Sequence, residues 1–141
     1  MVTAPRKFEF ELVSPEQLVF SEPVDMAVVP GADGDFGVLA GHSPLISTLR
    51  PGVLQIWQGD VVEQSLFVAG GFAEVNEERC TVLADEAIPV SSIDPTLVTA
   101  EIEELEAELP GEVDPVAKKL IETRLNIARA KLWAAKVPTT H

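Results

Sequence analysis

Residues 30–45 read Pro30-Gly31-Ala32-Asp33-Gly34-Asp35-Phe36-Gly37-Val38-Leu39-Ala40-Gly41-His42-Ser43-Pro44-Leu45. Four glycines and two prolines are interleaved there with the apolar anchors Phe36, Val38, Leu39 and Leu45. Glycine admits positive φ and close backbone approach, while proline fixes φ and ends ladders. A flexible linker lacks such anchors, so the stretch is expected to be an ordered, sharply folded loop on a β-scaffold.

On either side of it the chain reads as short strands. Phe8, Phe10 and Leu12 alternate with Glu9 and Glu11, the pattern of a half-buried strand. Gln17 to Phe20 and Met26 to Val29 are β-prone runs, the second closed by Pro30-Gly31. Gly52 to Trp57, Gly59-Asp60 and Val61 to Val68 spell a hairpin around a glycine-containing turn. Gly70-Gly71 is expected to separate that hairpin from Phe72 to Val75, and Asn76-Glu77-Glu78 to turn the chain into Arg79 to Leu83. Many short strands spaced by turn signals imply an antiparallel sandwich or barrel.

Past Ser91-Ser92 the period changes. Asp94-Pro95 is a helix start, with Asp as N-cap and Pro at the first helical position. Val98, Ile102, Leu105 and Leu109 then form one apolar stripe, which Pro110-Gly111 stops. Asp114-Pro115 repeats the start signal. Ala117, Leu120, Ile121, Leu125, Ala128, Leu132 and Ala135 make a second stripe, ended by Val137-Pro138. Two helices joined by a short loop form an antiparallel hairpin. Their charges are opposed. The first carries Glu101, Glu103, Glu104, Glu106 and Glu108, and the second Lys118, Lys119, Arg124, Arg129, Lys131 and Lys136 against Glu122 alone. Such faces either attract one another across the hairpin or turn to solvent and an acidic partner.

With 141 residues, 46% of them hydrophobic, the chain can bury one core and a small appendage. A net charge of −13 argues against nucleic acid and against an anionic lipid surface. No apolar run approaches the roughly 20 residues of a membrane-spanning helix. Met1 to Phe10 shows no secretory or transit pattern. Cys80, the single cysteine, excludes an internal disulfide and a multi-cysteine metal site, and beside Val82 and Leu83 it reads as a buried strand residue.

The motifs of common chemistries are missing. There is no Gly-x4-Gly-Lys-[Ser/Thr] phosphate loop, and His42 and His141 are too few and too distant for zinc. Asp33 and Asp35 alternate as in some calcium loops, without the downstream Glu. His42 next to Ser43 and near Ser47 lacks a Gly-x-Ser-x-Gly elbow. The expectation is an interaction protein with no catalytic residue, metal or cofactor.

Several stretches carry a resemblance: Val13-Ser14-Pro15-Glu16-Gln17 with Phe20-Ser21, the Gly34 to Pro44 loop, Leu49-Arg50-Pro51-Gly52, Gly70-Gly71-Phe72 with Glu74-Val75, and Val82-Leu83-Ala84-Asp85. Together and in order, from about Phe8 to Lys136, they resemble the epsilon subunit of the bacterial F-type ATP synthase. The resemblance implies a β-sandwich over residues 1–92 that grips the gamma subunit and the c-subunit ring, and a regulatory helical hairpin over 93–141. It implies a non-catalytic central-stalk role coupling ring rotation to gamma and the catalytic head of a proton-translocating enzyme. It places the chain peripherally, on the cytoplasmic side of the bacterial inner membrane.

Carried over by position, Asp33, Gly34, Asp35 and Phe36 would meet the ring, and Ser14, His42 and Ser47 would face gamma. Lys118, Lys119, Arg124, Arg129 and Lys131 would be the candidate contact with a catalytic beta subunit, giving weak inhibition of ATP hydrolysis. Family members that bind ATP carry Ile/Leu-Asp-x-x-Arg-Ala at the first helix start. Here Ile93-Asp94 matches, but Leu97-Val98 replaces Arg-Ala, so nucleotide binding is expected to be weak or absent, and Leu97 is expected to extend the apolar seam of the hairpin. The competing reading is a cytosolic adaptor whose β-sandwich and helical hairpin bind other proteins.

Overall fold

The computed structural model describes residues 6–136. The Val137-Pro138 helix stop, His141 and the first residues of the leader reading lie outside them. Eight strands come first: β1 (Phe8–Val13), β2 (Leu18–Val24), β3 (Met26–Gly31), β4 (Gly34–Val38), β5 (Leu45–Thr48), β6 (Gly52–Gln58), β7 (Val61–Val75) and β8 (Arg79–Pro89). A 3₁₀ turn over Val90–Ser92 leads to helix α1 (Pro95–Glu108), and the turn Leu109–Gly111 leads to α2 (Pro115–Lys136). The expected β-sandwich followed by a helical hairpin is present.

The expected break at Gly70-Gly71 is instead a corner within one long strand. Gly70 and Gly71 have φ of 73° and 94°. A Cβ on Gly71 would lie 1.8 Å from the Leu83 carbonyl oxygen, so side chains are excluded where β7 folds over β8. Before the corner β7 pairs with β6 (Gly52↔Val68 to Gln58↔Val61), and after it with β5 (Thr48↔Phe72 to Leu45↔Val75). β8 follows β7 through the bend, from Leu66↔Pro89 to Val75↔Cys80. The result is two layers, β2-β1-β8-β7-β5 and β8-β7-β6-β3-β4, which share β7 and β8.

One pair departs from the expected antiparallel pattern: β1 runs parallel to β8. The other pairs are antiparallel. β1 and β8 are remote in sequence, so no hairpin imposes direction on them. The Pro30–Leu45 stretch is also more regular than a loop. Its first half is the β3–β4 hairpin, paired from Ala27↔Val38 to Gly31↔Gly34.

Phe10, Leu12, Val29, Leu54, Ile56, Val68 and Val82 fill the space between the layers, each below 2% exposed. Burial of side chains this size stabilises by about 1.5–3 kcal/mol each. Cys80 sits among them, as its neighbours suggested. The run Leu66-Phe67-Val68-Ala69 is buried on both faces. Leu66 and Val68 enter the sandwich core, while Phe67 and Ala69 belong to a second cluster with Ile93, Val98, Ile102, Leu105, Ile121, Leu125, Ala128 and Ala134. The hairpin therefore covers the outer face of the β6–β7–β8 half.

Both helix starts are capped by the expected aspartates. Asp94 accepts from the Thr96 N–H at 3.0 Å, and Asp114 from the Ala117 N–H at 3.2 Å. The stripes differ in part from expectation. Leu97 is 68% exposed and Leu120 51%, so neither enters the seam. Ala134, not Ala135, is the fully buried alanine near the end of α2, because that end leaves α1 behind and turns against the sheet.

Candidate functional site

No group of three or more His, Cys, Asp or Glu among the described residues could hold a metal. What the fold offers is surfaces, at three places.

The first is the β3–β4 turn. Ala32, Asp33 and Gly34 stand exposed at its tip. Asp35 and Phe36 are neighbours on β4 and point to opposite faces. Phe36 packs against the sandwich core, its ring where a Cβ on Gly31 would lie (2.9 Å). Asp35 faces outward, and its Oδ1 accepts from Arg50 Nη2 at 2.5 Å. Of the four residues expected at the ring, Phe36 is thus half-buried and Asp35 is paired within the chain, while Asp33 and Gly34 are free at the tip.

The second is the outer face of the β2-β1-β8-β7-β5 layer. Here the register assembles a row that no local pattern reveals. Leu18 pairs with Val13, Val13 with Leu83, Leu83 with Phe72, and Phe72 with Thr48. Paired residues share a face, so these side chains cross the whole layer, about 20 Å at ordinary strand spacing. Leu18, Leu83 and Phe72 are 56%, 39% and 38% exposed, and Ile46 on the same face of β5 is 70% exposed. No described residue covers this stripe. Sequence reading missed it because its members come from five strands; only the alternation of Phe72 with Ala73 and of Leu83 with Val82 hinted that they face outward.

The residues expected to face gamma border this layer but are not its apolar row. Ser14 is buried, and its hydroxyl donates to the Gln17 carbonyl at 3.3 Å, within the β1–β2 turn. Ser47 pairs with Ala73 and so shares the inner side of β5, with its hydroxyl donating to the Thr48 carbonyl at 3.0 Å. His42 Nδ1 lies 2.7 Å from the Ser43 carbonyl oxygen, in the β4–β5 connection.

The third surface is the basic side of α2. Lys118, Lys119 and Arg124 are exposed. Arg129 donates to Glu106 of α1 at 2.7 Å, so part of the opposed charge is spent across the hairpin. Lys131 is turned inward, donating to Glu86 of β8 at 2.6 Å. The degenerate nucleotide motif also has local work. Ile93 and Val98 are buried in the hairpin cluster, Asp94 caps α1, and Leu97 lies in solvent.

Residues 7–90, the β-sandwich, match the family described as the ATP synthase, Delta/Epsilon chain, beta-sandwich domain. An ATP synthase epsilon chain of Rhodospirillum rubrum is 51% identical over 128 residues, which cover 91% of this chain and 96% of that one.

The chain belongs to the ATP synthase epsilon chain family.

A second epsilon chain, from Rhodospirillum centenum, is 48% identical over 132 residues, covering 89% of this chain and 90% of its own length. Among solved structures, a chain of the Euglena gracilis mitochondrial ATP synthase, described as OSCP/F1/c-ring in rotational state 1, matches with a TM-score of 0.78 at 26% identity. The match covers 92% of this chain and 81% of that one. A chain of the Tetrahymena thermophila mitochondrial ATP synthase central stalk and c-ring has a TM-score of 0.68 over 95% of this chain and all of its own. At 16% identity it speaks for the fold alone. No helix among the described residues is long and apolar enough to cross a membrane.

Proposed function

We propose that this epsilon chain is a non-catalytic central-stalk subunit that couples rotation of a c-subunit ring to the gamma subunit and the catalytic head. It would sit peripherally on the cytoplasmic side of a bacterial inner membrane. The observation that carries the reading is the uncovered stripe of Leu18, Val13, Leu83, Phe72 and Ile46 on one layer, while the helical hairpin covers the outer face of the other. A broad exposed apolar stripe on an otherwise acidic protein marks a protein–protein surface. Gamma is its proposed occupant, with Ser14, His42 and Ser47 along the border. The β3–β4 turn, at Asp33 to Phe36, is the proposed contact with the ring.

The domain division after Ser92 follows the change from strands to helices. In this reading residues 93–141 restrain ATP hydrolysis weakly, because Arg129 and Lys131 must leave Glu106 and Glu86 before they can meet an acidic segment of a beta subunit.

The test uses the full chain. Phe72→Glu should abolish measurable binding to the gamma-containing catalytic head, since it places a charge within the stripe between Leu83 and the β5 edge, and should leave thermal stability near that of the parent. Unchanged binding would reject the stripe as the gamma surface and favour the adaptor reading.

A further inference from the structure

The β3–β4 turn is held from both faces of its sheet. On the inner side the Phe36 ring lies against Gly31, where any larger residue would collide with it. On the outer side Arg50 binds three points around the turn. Its backbone N–H donates to the Pro30 carbonyl at 3.0 Å, Nη1 donates to the Gly31 carbonyl at 2.6 Å, and Nη2 to Asp35 Oδ1 at 2.5 Å. Pro30 and Gly31 end β3, and Asp35 is on β4, so a single side chain spans the two strands just behind Ala32 and Asp33. The Ala32 N–H is fixed in turn by the Thr48 carbonyl at 2.9 Å.

We propose that Arg50 is the positioning residue of this turn. It holds the tip, with Asp33 outward, in the geometry that docks on the ring, and Asp35 serves as its counter-ion. The inference rests on the reading of the turn as the ring contact. The Arg50–Asp35 pair is exposed and so adds little to stability. Its worth lies in direction: a planar guanidinium can bind a carbonyl and a carboxylate at once, which a lysine ammonium does not reproduce at fixed angles. A contact that transmits torque gains from a tip that need not be ordered on docking.

The experiment compares full-length Arg50→Met, Arg50→Lys, Asp35→Asn and Asp33→Ala chains for binding to the detergent-solubilised c-subunit ring and, separately, to gamma. Amide exchange is read over residues 31–36. Arg50→Met should weaken ring binding by about fivefold or more, leave gamma binding unchanged and speed exchange in the turn. Arg50→Lys should fall between Arg50→Met and the parent. Asp35→Asn should weaken ring binding in the same direction, and adding it to Arg50→Met should cost nothing further, because the two act as one unit.

If Asp33→Ala weakens ring binding and Arg50→Met does not, the positioning role is wrong although the ring reading stands. If no variant changes ring binding, the turn is not the ring contact and the inference falls with that reading.

Discussion

Lys131 of α2 reaches Glu86 of β8, Nζ to Oε2 at 2.6 Å, with its ammonium 5.7 Å from the centre of the Phe67 ring. The Lys131 side chain is 17% exposed and that of Glu86 37%. Among the described residues this is the one ion pair between the hairpin and the strands. It lies at the margin of the apolar cluster in which Phe67 and Ala69 meet the helices. The residue that looked in sequence like part of a free basic face is the one that fastens that face to the sandwich.

Lys131→Met keeps much of the stem that packs on Phe67 and removes the charge. With Glu86 partly in solvent, the loss should be about 1 kcal/mol, no larger than a favourable surface pair. Because the pair ties α2 to β8 and involves no residue of β1 to β6, amide exchange should quicken in α1 and α2 and stay unchanged in β1 to β6. Equal acceleration throughout would show that hairpin and sandwich open together.

The corner at Gly71 should be the least tolerant glycine. Gly71→Ala puts a Cβ into the Leu83 carbonyl at a φ of 94°, and should cost on the order of 3 kcal/mol or prevent folding. Gly37→Ala, where a Cβ meets nothing within 4 Å, should be neutral or stabilising by roughly 0.5 kcal/mol. Chemical denaturation of the two variants checks the contrast.

How much was legible beforehand follows from the range of the interactions. Asp94 and Asp114 cap their helices through bonds two and three residues away, and the Gly59-Asp60 turn joins adjacent strands. Such features are local and could be read directly. The course of β7 could not, because a glycine pair reads alike as a strand end and as a strand corner. The choice was made by β8, which stays paired on both sides of the bend. The stripe from Leu18 to Ile46 and the Arg50 clamp join residues brought together by topology, so neither leaves a periodic trace. Leu97 looked like a seam residue because it is apolar, but its position on the helix turns it away from Val98, Ile102 and Leu105.

Two carboxylates near the β6–β7 turn should respond to pH in opposite directions. Asp25 accepts from the Gly59 N–H at 2.6 Å and from Lys7 Nζ at 3.2 Å, and these bonds, the Gly59 bond first, hold its pKa below the usual range. Its contribution is present above the unfolded-state pKa and is lost as pH falls through the lower folded value. Glu63 shifts upward, chiefly through a hydrogen bond with Glu22 and then through burial. Its stabilising effect is present below the unfolded pKa and is lost as pH rises through the folded value. Asp25→Asn should therefore destabilise at pH 7 and converge with the parent in acid, whereas Glu63→Gln should be the more stable chain at pH 7 and converge likewise. Denaturation midpoints across pH 2.5–7 decide it, and parallel curves would contradict both assignments.

Cys80 lies wholly within the sandwich, and burial pushes its thiol up to about 12 from an ordinary 9.0. The thiolate is the reactive form, so a thiol reagent at neutral pH should modify the chain only as fast as the sandwich opens. The same shift ties stability to alkaline pH. Below 9.0 the thiol is protonated in both states, and between there and about 12 the unfolded chain ionises while the folded chain does not. Stability should then fall by about 1.4 kcal/mol per pH unit from this group alone. Cys80→Ala leaves a small cavity and should lower stability at pH 7, but its decline above pH 9 should be shallower by that slope. Urea unfolding of parent and variant at pH 8 and 10 makes the comparison, and equal declines would mean that Cys80 ionises in the folded protein.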